Sequence, residues 1–394
     1  WPWAVLTGDV WVEHGKTVAD AGRFLSRSFD RVPRNPQEKI SSGYKAWEFL
    51  VYVYILGPGL FYGVLPEPYY RHFCKLIQGI RLIYQRSISR EQLRIAHQTL
   101  LKYCVEFEHL YYQRRSNRLH FVRQSIHSLT HLGPKTHRLG PLLLSAQWTM
   151  ERIIGVLGSL VKQPSNAFAN LTEQAKKMAN INALLAMWPE IGHKSHDPRG
   201  SFNLGGGYIL LGPKDDKPYI LSPAEQHTLT SSCFLDPGAP MVRSVYQWGR
   251  LQISNGQLAR LCWKEIDCSR KLAQTDQILK VSFDLILSMI CFAEARFYFC
   301  LGSDARKTLA LVSLFSMPDE AILQHTHGVL TVCEYQDEAS LAVIEIKSIQ
   351  VVVGMVPFGK RVEGHNPRYF LAEKLGLDVY NPYSTGSEDA DDEV

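Results

Sequence analysis

Ser89-Arg90-Glu91-Gln92-Leu93-Arg94-Ile95-Ala96-His97-Gln98-Thr99-Leu100-Leu101-Lys102-Tyr103-Cys104-Val105-Glu106-Phe107 is the stretch whose period decides the first half of the fold. Leu93, Ala96, Leu100, Cys104, Phe107 and Tyr111 recur at three- and four-residue intervals, so on a helix they form one apolar stripe. Arg90, Arg94 and Lys102 then fall away from that stripe and face water. Ser89 can cap the start with Gln92 answering three residues later, and the helix is expected to run to about Arg115.

Helical spacing extends on both sides. Upstream, Trp47, Leu50, Val51 and Tyr54 repeat until Gly57-Pro58-Gly59 ends the run, and Pro66 and Pro68 precede a helix over about 69–84. Downstream come a His-rich helix over 120–132, a helix over about 147–161 closed by Pro164, and one capped by Thr172 and closed by Pro189. Residues 44–190 therefore read as one helical domain with a basic face. Residues 1–43 read as an extended lead-in with a short helical segment at 16–25. The opening from Trp1 to Trp11 reads as the interior of a longer protein.

After Glu190 the composition turns to Gly, Pro and Ser, and 191–292 reads as a linker with short helices at 256–264 and 276–290. Gly205-Gly206-Gly207 precedes a short strand at 208–211 and lacks the Lys-Ser/Thr of a phosphate loop. From Ala293 the period is two: 297–299, 309–315, 328–335, 341–355 and 368–373 read as strands of a small antiparallel sheet or barrel over 293–380. The fold class is α+β. Residues 381–394, with Glu388-Asp389-Ala390-Asp391-Asp392-Glu393, read as an exposed acidic tail.

Composition excludes some classes and favours others. The eight cysteines never form Cys-x-x-Cys, which suits reduced thiols in an intracellular protein and offers no zinc signature. No secretory signal is visible, and the apolar run at 49–64 is shorter than the roughly 20 residues of a membrane span, so no membrane partner is expected. The net charge of +5 is uneven, with fifteen Lys/Arg against four Glu over residues 71–162. Such a concentration points to polyanions, nucleic acid first, or to a solvated helical face. Arg114, Arg115, Arg118 and Arg123 are the candidate phosphate contacts. Tyr111 and Tyr112 beside them suit either stacking on bases or covering a core edge.

Two constellations could carry chemistry. His127 and His131, four apart, lie on one helical face and are either structural histidines or two ligands of a metal such as the zinc of a hydrolase. Glu151, in Gln147-Trp148-Thr149-Met150-Glu151-Arg152, is an acid set among cations, available for catalysis or for a surface ion pair.

Four runs resemble the C-terminal half of fungal CACTA (En/Spm-type) transposases: Ile40-Ser41-Ser42-Gly43-Tyr44-Lys45-Ala46-Trp47-Glu48, Leu110 to Arg115, Leu119 to Leu129, and Gln147 to Arg152. The pattern is a His-x-x-x-His helix, Gly140-Pro141, then a Trp-to-Glu-Arg motif. The section from Tyr335-Gln336 through 343–349 to 370–374 is similar to the small domain that follows in the same proteins. The resemblance implies a cut-and-paste DNA transposase of the nucleus, with a ribonuclease-H-like core and an Asp-Asp-Glu triad holding two Mg2+ or Mn2+ ions. It implies that Glu151 is the third carboxylate and metal ligand, that Arg123 and Arg152 contact phosphate, and that Trp148 braces the helix. The partners implied are transposon ends, further copies in a homo-oligomer, and an upstream catalytic part carrying the two aspartates. Asp9, Asp20 and Asp30 have no strand pattern around them, so this part alone is expected not to cut DNA and to need no metal of its own. The alternative is a non-catalytic nucleic-acid-binding or interaction protein derived from a decayed transposon.

Overall fold

The computed structural model describes residues 1–29, 31–161, 164–188, 191, 198–212, 217–235, 241–261, 276–283, 289–301, 307–359 and 364–376. It is α+β, and every pairing between described strands is antiparallel. Asp30, the acidic tail and much of 262–275 and 284–288 fall outside the described residues.

The segment expected to be an extended lead-in is instead part of the core. Helix α1 (Gly8–Ala21) buries His14, Val18 and Ala21, and the following turns bury Leu25 and Phe29. The helical segment seen at 16–25 is thus the C-terminal half of a longer, buried helix. Residues 46–60 form a continuous helical run whose middle, Leu50–Leu56, is a π-helix. The run passes through Gly57-Pro58-Gly59 rather than stopping there. Pro58 falls in the first two residues of the α-segment Gly57–Leu60, where a missing N–H is least costly.

Helices α2 (Glu67–Ile83) and α3 (Arg90–Phe107) pack closely, with Leu100 seated on Gly79: a Cβ there would lie 2.6 Å from the leucine side chain. The capping box is present, with Gln92 N donating to Ser89 Oγ at 3.1 Å and Ser89 N donating to Gln92 Oε1 at 2.9 Å. Ala96 and Leu100 are buried and Arg94 and Lys102 exposed, as the stripe requires. The helix then widens into a π-turn, Glu108–Tyr112. The His-rich segment is not one helix but short turns (Ser116–Phe121, Gln124–Ser128, Leu129–His131) leading into α4 (Leu132–Leu139). Helices α5 (Trp148–Leu160) and α6 (Ala167–Met187) follow. Thr172 lies inside α6 and donates to Phe168 O at 2.9 Å, so it is not the cap.

The 191–292 segment is largely strand. It supplies β1 (Phe202–Gly205), β2 (Tyr208–Leu210), β3 (Tyr219–Ile220), helix α7 (Pro223–Thr230), β4 (Ser244–Val245), β5 (Arg250–Gln252), β6 (Leu258–Arg260) and β7 (Ile278–Phe283). Helices were expected over β6 and β7; alternate burial on sheets outweighs their weak helical spacing. The expected strands follow as β8 (Met289–Cys300), β9 (Thr308–Leu314), helix α8 (Glu320–His325), β10 (Val332–Glu334), β11 (Leu341–Glu345), β12 (Ile349–Val352), β13 (Gly354–Pro357) and β14 (Arg368–Ala372). Sheets β1-β2-β5-β6 and β11-β9-β8-β7-β12 share one core that includes Leu210, Leu251, Leu279, Tyr298 and Leu311. The sheet β10-β14-β13 packs instead on the N-terminal helices, where Leu25, Phe29, Val51 and Ile55 meet Val332, Val356 and Phe370.

Glu48, within the first of the resembling runs, anchors the start of that helical layer. Its fully buried carboxylate accepts from Arg34 Nε at 2.6 Å, Arg34 Nη2 at 2.7 Å and Lys45 N at 2.9 Å. The hydrogen bonds from Arg34 hold its pKa down, to about 2. A depressed carboxylate stabilises the fold fully above its ordinary value near 4.5 and loses that contribution as pH falls toward 2. Arg34→Met leaves the carboxylate buried and unpaired, and a drop in thermal midpoint on the order of 5–10 °C at neutral pH is expected, shrinking in acid. Thermal scans at neutral and acid pH check it; an equal drop at both pH values would show that Glu48 is not the stabilised group.

Candidate nucleic-acid interface

The cations of 71–162 do not form one equivalent set. Arg81 points inward and donates to Tyr54 O at 2.9 Å and Val329 O at 2.7 Å, tying α2 to the C-terminal sheet layer. Lys75 pairs with Glu106, Arg94 with Glu91 at 2.5 Å, and Arg114 with Glu108 at 3.5 Å. Arg86, Arg90, Lys102, Arg115, Arg123, Lys135 and Arg138 are exposed and make no ion pair among the described residues. Four of these seven fall in residues 109–150, which carry six Lys/Arg, five His and no Asp or Glu. Lys135 and Arg138 are three apart on α4 and so lie on one helical face. A surface with no acid to neutralise it keeps its field, and that field is what a phosphate backbone responds to.

Arg114 and Arg115 are presented by a strained turn, since Gln113 and Arg114 both adopt left-handed backbone (φ +53° and +50°). Arg118 has a different environment. Its guanidinium lies 4.8 Å from the ring centre of Trp1 and 6.0 Å from that of Trp3, and it donates to Tyr111 O at 3.2 Å. Trp3 in turn contacts Tyr69, Tyr111 and Phe121 at 5.1–5.5 Å between ring centres. Nothing local in the sequence marks Trp1 and Trp3 as part of this surface, because their partners lie 66 to 120 positions away. The bulky Trp1-Pro2-Trp3 triplet in a polar setting is the one clue.

Glu151 lies in the first turn of α5, exposed, and forms no ion pair among the described residues. Helix α5 packs on α6, and no printed contact brings Glu151 to Arg114, Arg115, Arg118 or Arg123. The side chains of Trp148 and Arg152 lie outside what is described, so the bracing and phosphate roles expected of them stay with the resemblance. His127 and His131 do meet, Nε2 to Nε2 at 3.0 Å, so one ring donates and the other accepts. Among the described residues no group of three or more His, Cys, Asp or Glu is placed to hold a metal. A two-metal, three-carboxylate site therefore does not fit the described residues, and no step through such metals is derived for them. No helix among the described residues is long and apolar enough to cross a membrane. No family model, no curated protein and no solved structure matches the chain.

Proposed function

We propose that this chain is the C-terminal portion of a cut-and-paste DNA transposase of the CACTA type and that its contribution is to hold DNA by the backbone. The observation that supports the reading is the acid-free basic run 109–150, with Arg115, Arg123, Lys135 and Arg138 exposed and unpaired among the described residues. In this reading Glu151 is the third acid of a triad whose other members come from an upstream catalytic part, the helical half descends from a ribonuclease-H-like core, and the protein works in the nucleus. The solitary position of Glu151 favours a second reading, a non-catalytic DNA-binding protein of the same ancestry. Titration of a labelled duplex at low and moderate salt tests what the two share: affinity must fall steeply as salt rises. Affinity indifferent to salt removes both. A strand-transfer assay with Mg2+ or Mn2+ divides them from an active enzyme, since cleavage by this chain alone, lost in Glu151→Gln, would show that the acid needs no upstream partner.

The homo-oligomer belongs to the same proposal and rests on the α5–α6 hairpin. Helix α6 buries no residue, and Met150, Ile154, Ile181 and Met187 are exposed, as is Phe168 at 88%. A stable dimer hides about 800 Å² per partner, an area that a handful of such side chains can supply at roughly 150–250 Å² for each large ring. Two hairpins related by a two-fold axis would form a four-helix bundle. The chain is expected to sediment as a dimer, with Ile154→Glu/Phe168→Glu weakening association roughly 100-fold. A monomeric wild type in sedimentation velocity would remove the hairpin as the self-association surface.

A further inference from the structure

Aromatic rings form a continuous spine from the interior of the helical layer to the surface beside the unpaired arginines. His72 stacks on buried Tyr103 at 4.0 Å, and His72 meets Tyr111 at 5.4 Å. Phe107 stacks on Tyr111 at 4.8 Å, and Tyr111 meets Trp3 at 5.1 Å. Trp1 then lies nearly parallel to Trp3, 5.4 Å between centres and 10° between planes, with Phe121 set edgewise to both. Each ring fixes the next, so the outermost indole is held by packing, although it is still 56% exposed. Arg118 lies beside the pair, and the strained turn at 113–114 presents Arg114 and Arg115 from the same chain segment.

A tryptophan in this setting gives up much of its burial. Closing the spine needs only Trp3, whose ring touches four others, and Trp1 adds a layer with much of its surface in water. An indole stacked at its back, exposed at its front and flanked by guanidinium groups is the arrangement that takes an unpaired nucleobase. The base gains a π-face while the arginines meet its phosphates. We propose that Trp1, stacked on Trp3 and flanked by Arg118, is a platform for an unpaired base of a single-stranded DNA segment. The proposal rests on the DNA-binding reading above and deepens it: the ligand is DNA with an unpaired stretch rather than uniform duplex.

The test uses the full chain and three fluorescent probes: a blunt duplex, the same duplex with a short single-stranded tail, and that tail carrying an abasic sugar. The wild type is expected to prefer the tailed duplex over the blunt one, and the abasic tail to lose the preference. Trp1→Ala should weaken the tailed duplex about tenfold and leave the blunt duplex within about twofold, with Trp1→Phe restoring most of the loss. Circular dichroism and an unchanged thermal midpoint verify the fold, which the exposure of Trp1 protects. If Trp1→Ala changes neither affinity, or lowers both equally, the platform is wrong while backbone binding stands. If the wild type binds none of the three probes, the platform and the DNA-binding reading fall together.

Discussion

Replacing Arg115, Arg123, Lys135 and Arg138 together by glutamine is expected to cut affinity for duplex DNA by about 100-fold or more at low salt. Each cation that meets a phosphate releases roughly one counterion, so the slope of log affinity against log salt should flatten by about three to four. The four are chosen because they are exposed and make no ion pair among the described residues, so removing their charge should leave the fold intact. Arg94→Gln is the internal control. Arg94 is bidentate to Glu91 across one helical turn, and a cation already neutralised by a neighbour has little field left for a phosphate. Its loss should change affinity less than about threefold. Fluorescence anisotropy across a salt series reads both quantities. A quadruple variant that loses affinity without any change in slope would mean that these side chains shape the surface rather than meet phosphates.

What the sequence made legible here is what depends on near neighbours. Helix α3 has its cap, its stripe and its basic face written into consecutive turns, and all three are found where the spacing put them. The basic run 109–150 is likewise a matter of composition, visible before any fold is known. Burial of individual cations is not: Arg81 has the same local context as its exposed neighbours, and only Val329, 248 positions away, turns it inward. The strands of 202–260 are two to four residues long, too short to show a period, and their pairing depends on partners such as β2 with β5 across 40 positions. Residues 256–264 looked helical because the strand in them, Leu258–Arg260, is set by the Asn255-Gly256 turn and by pairing to Arg250–Gln252. The lead-in was misread for the same reason. Leu25 and Phe29 are core residues because the C-terminal sheet arrives over them, and nothing within 1–43 announces that sheet.

That shared core leads to the largest expected change in stability. Phe370, on β14, is 1% exposed and lies against the helical run of 46–60. Its ring is so close to Gly59 that a Cβ there would fall 2.6 Å from three ring carbons. Phe370→Ala removes a ring that the rigid turn Gly57–Leu60 cannot follow inward, so the cavity should persist and cost about 3–5 kcal/mol. Gly59→Val should also be destabilising, since neither a packed phenyl ring nor a helix backbone can retreat by the few tenths of an ångström required. Combining Gly59→Val with Phe370→Leu should cost less than the two added, because the branched side chain enters space the smaller residue has vacated. The form of the transition carries as much as its midpoint. A boundary near 190 would make the helical and strand regions unfold separately, and Phe370→Ala would then shift only the strand transition. The packing of Leu25, Val51 and Ile55 on Val332 and Val356 requires instead that the first 60 residues and the last sheet melt together. Calorimetry of the variant should therefore lower both ends of the chain in one step, with amide exchange accelerating in α1 as much as in β14. Exchange that quickens in β14 while α1 stays protected would show that the two layers touch without sharing their stability.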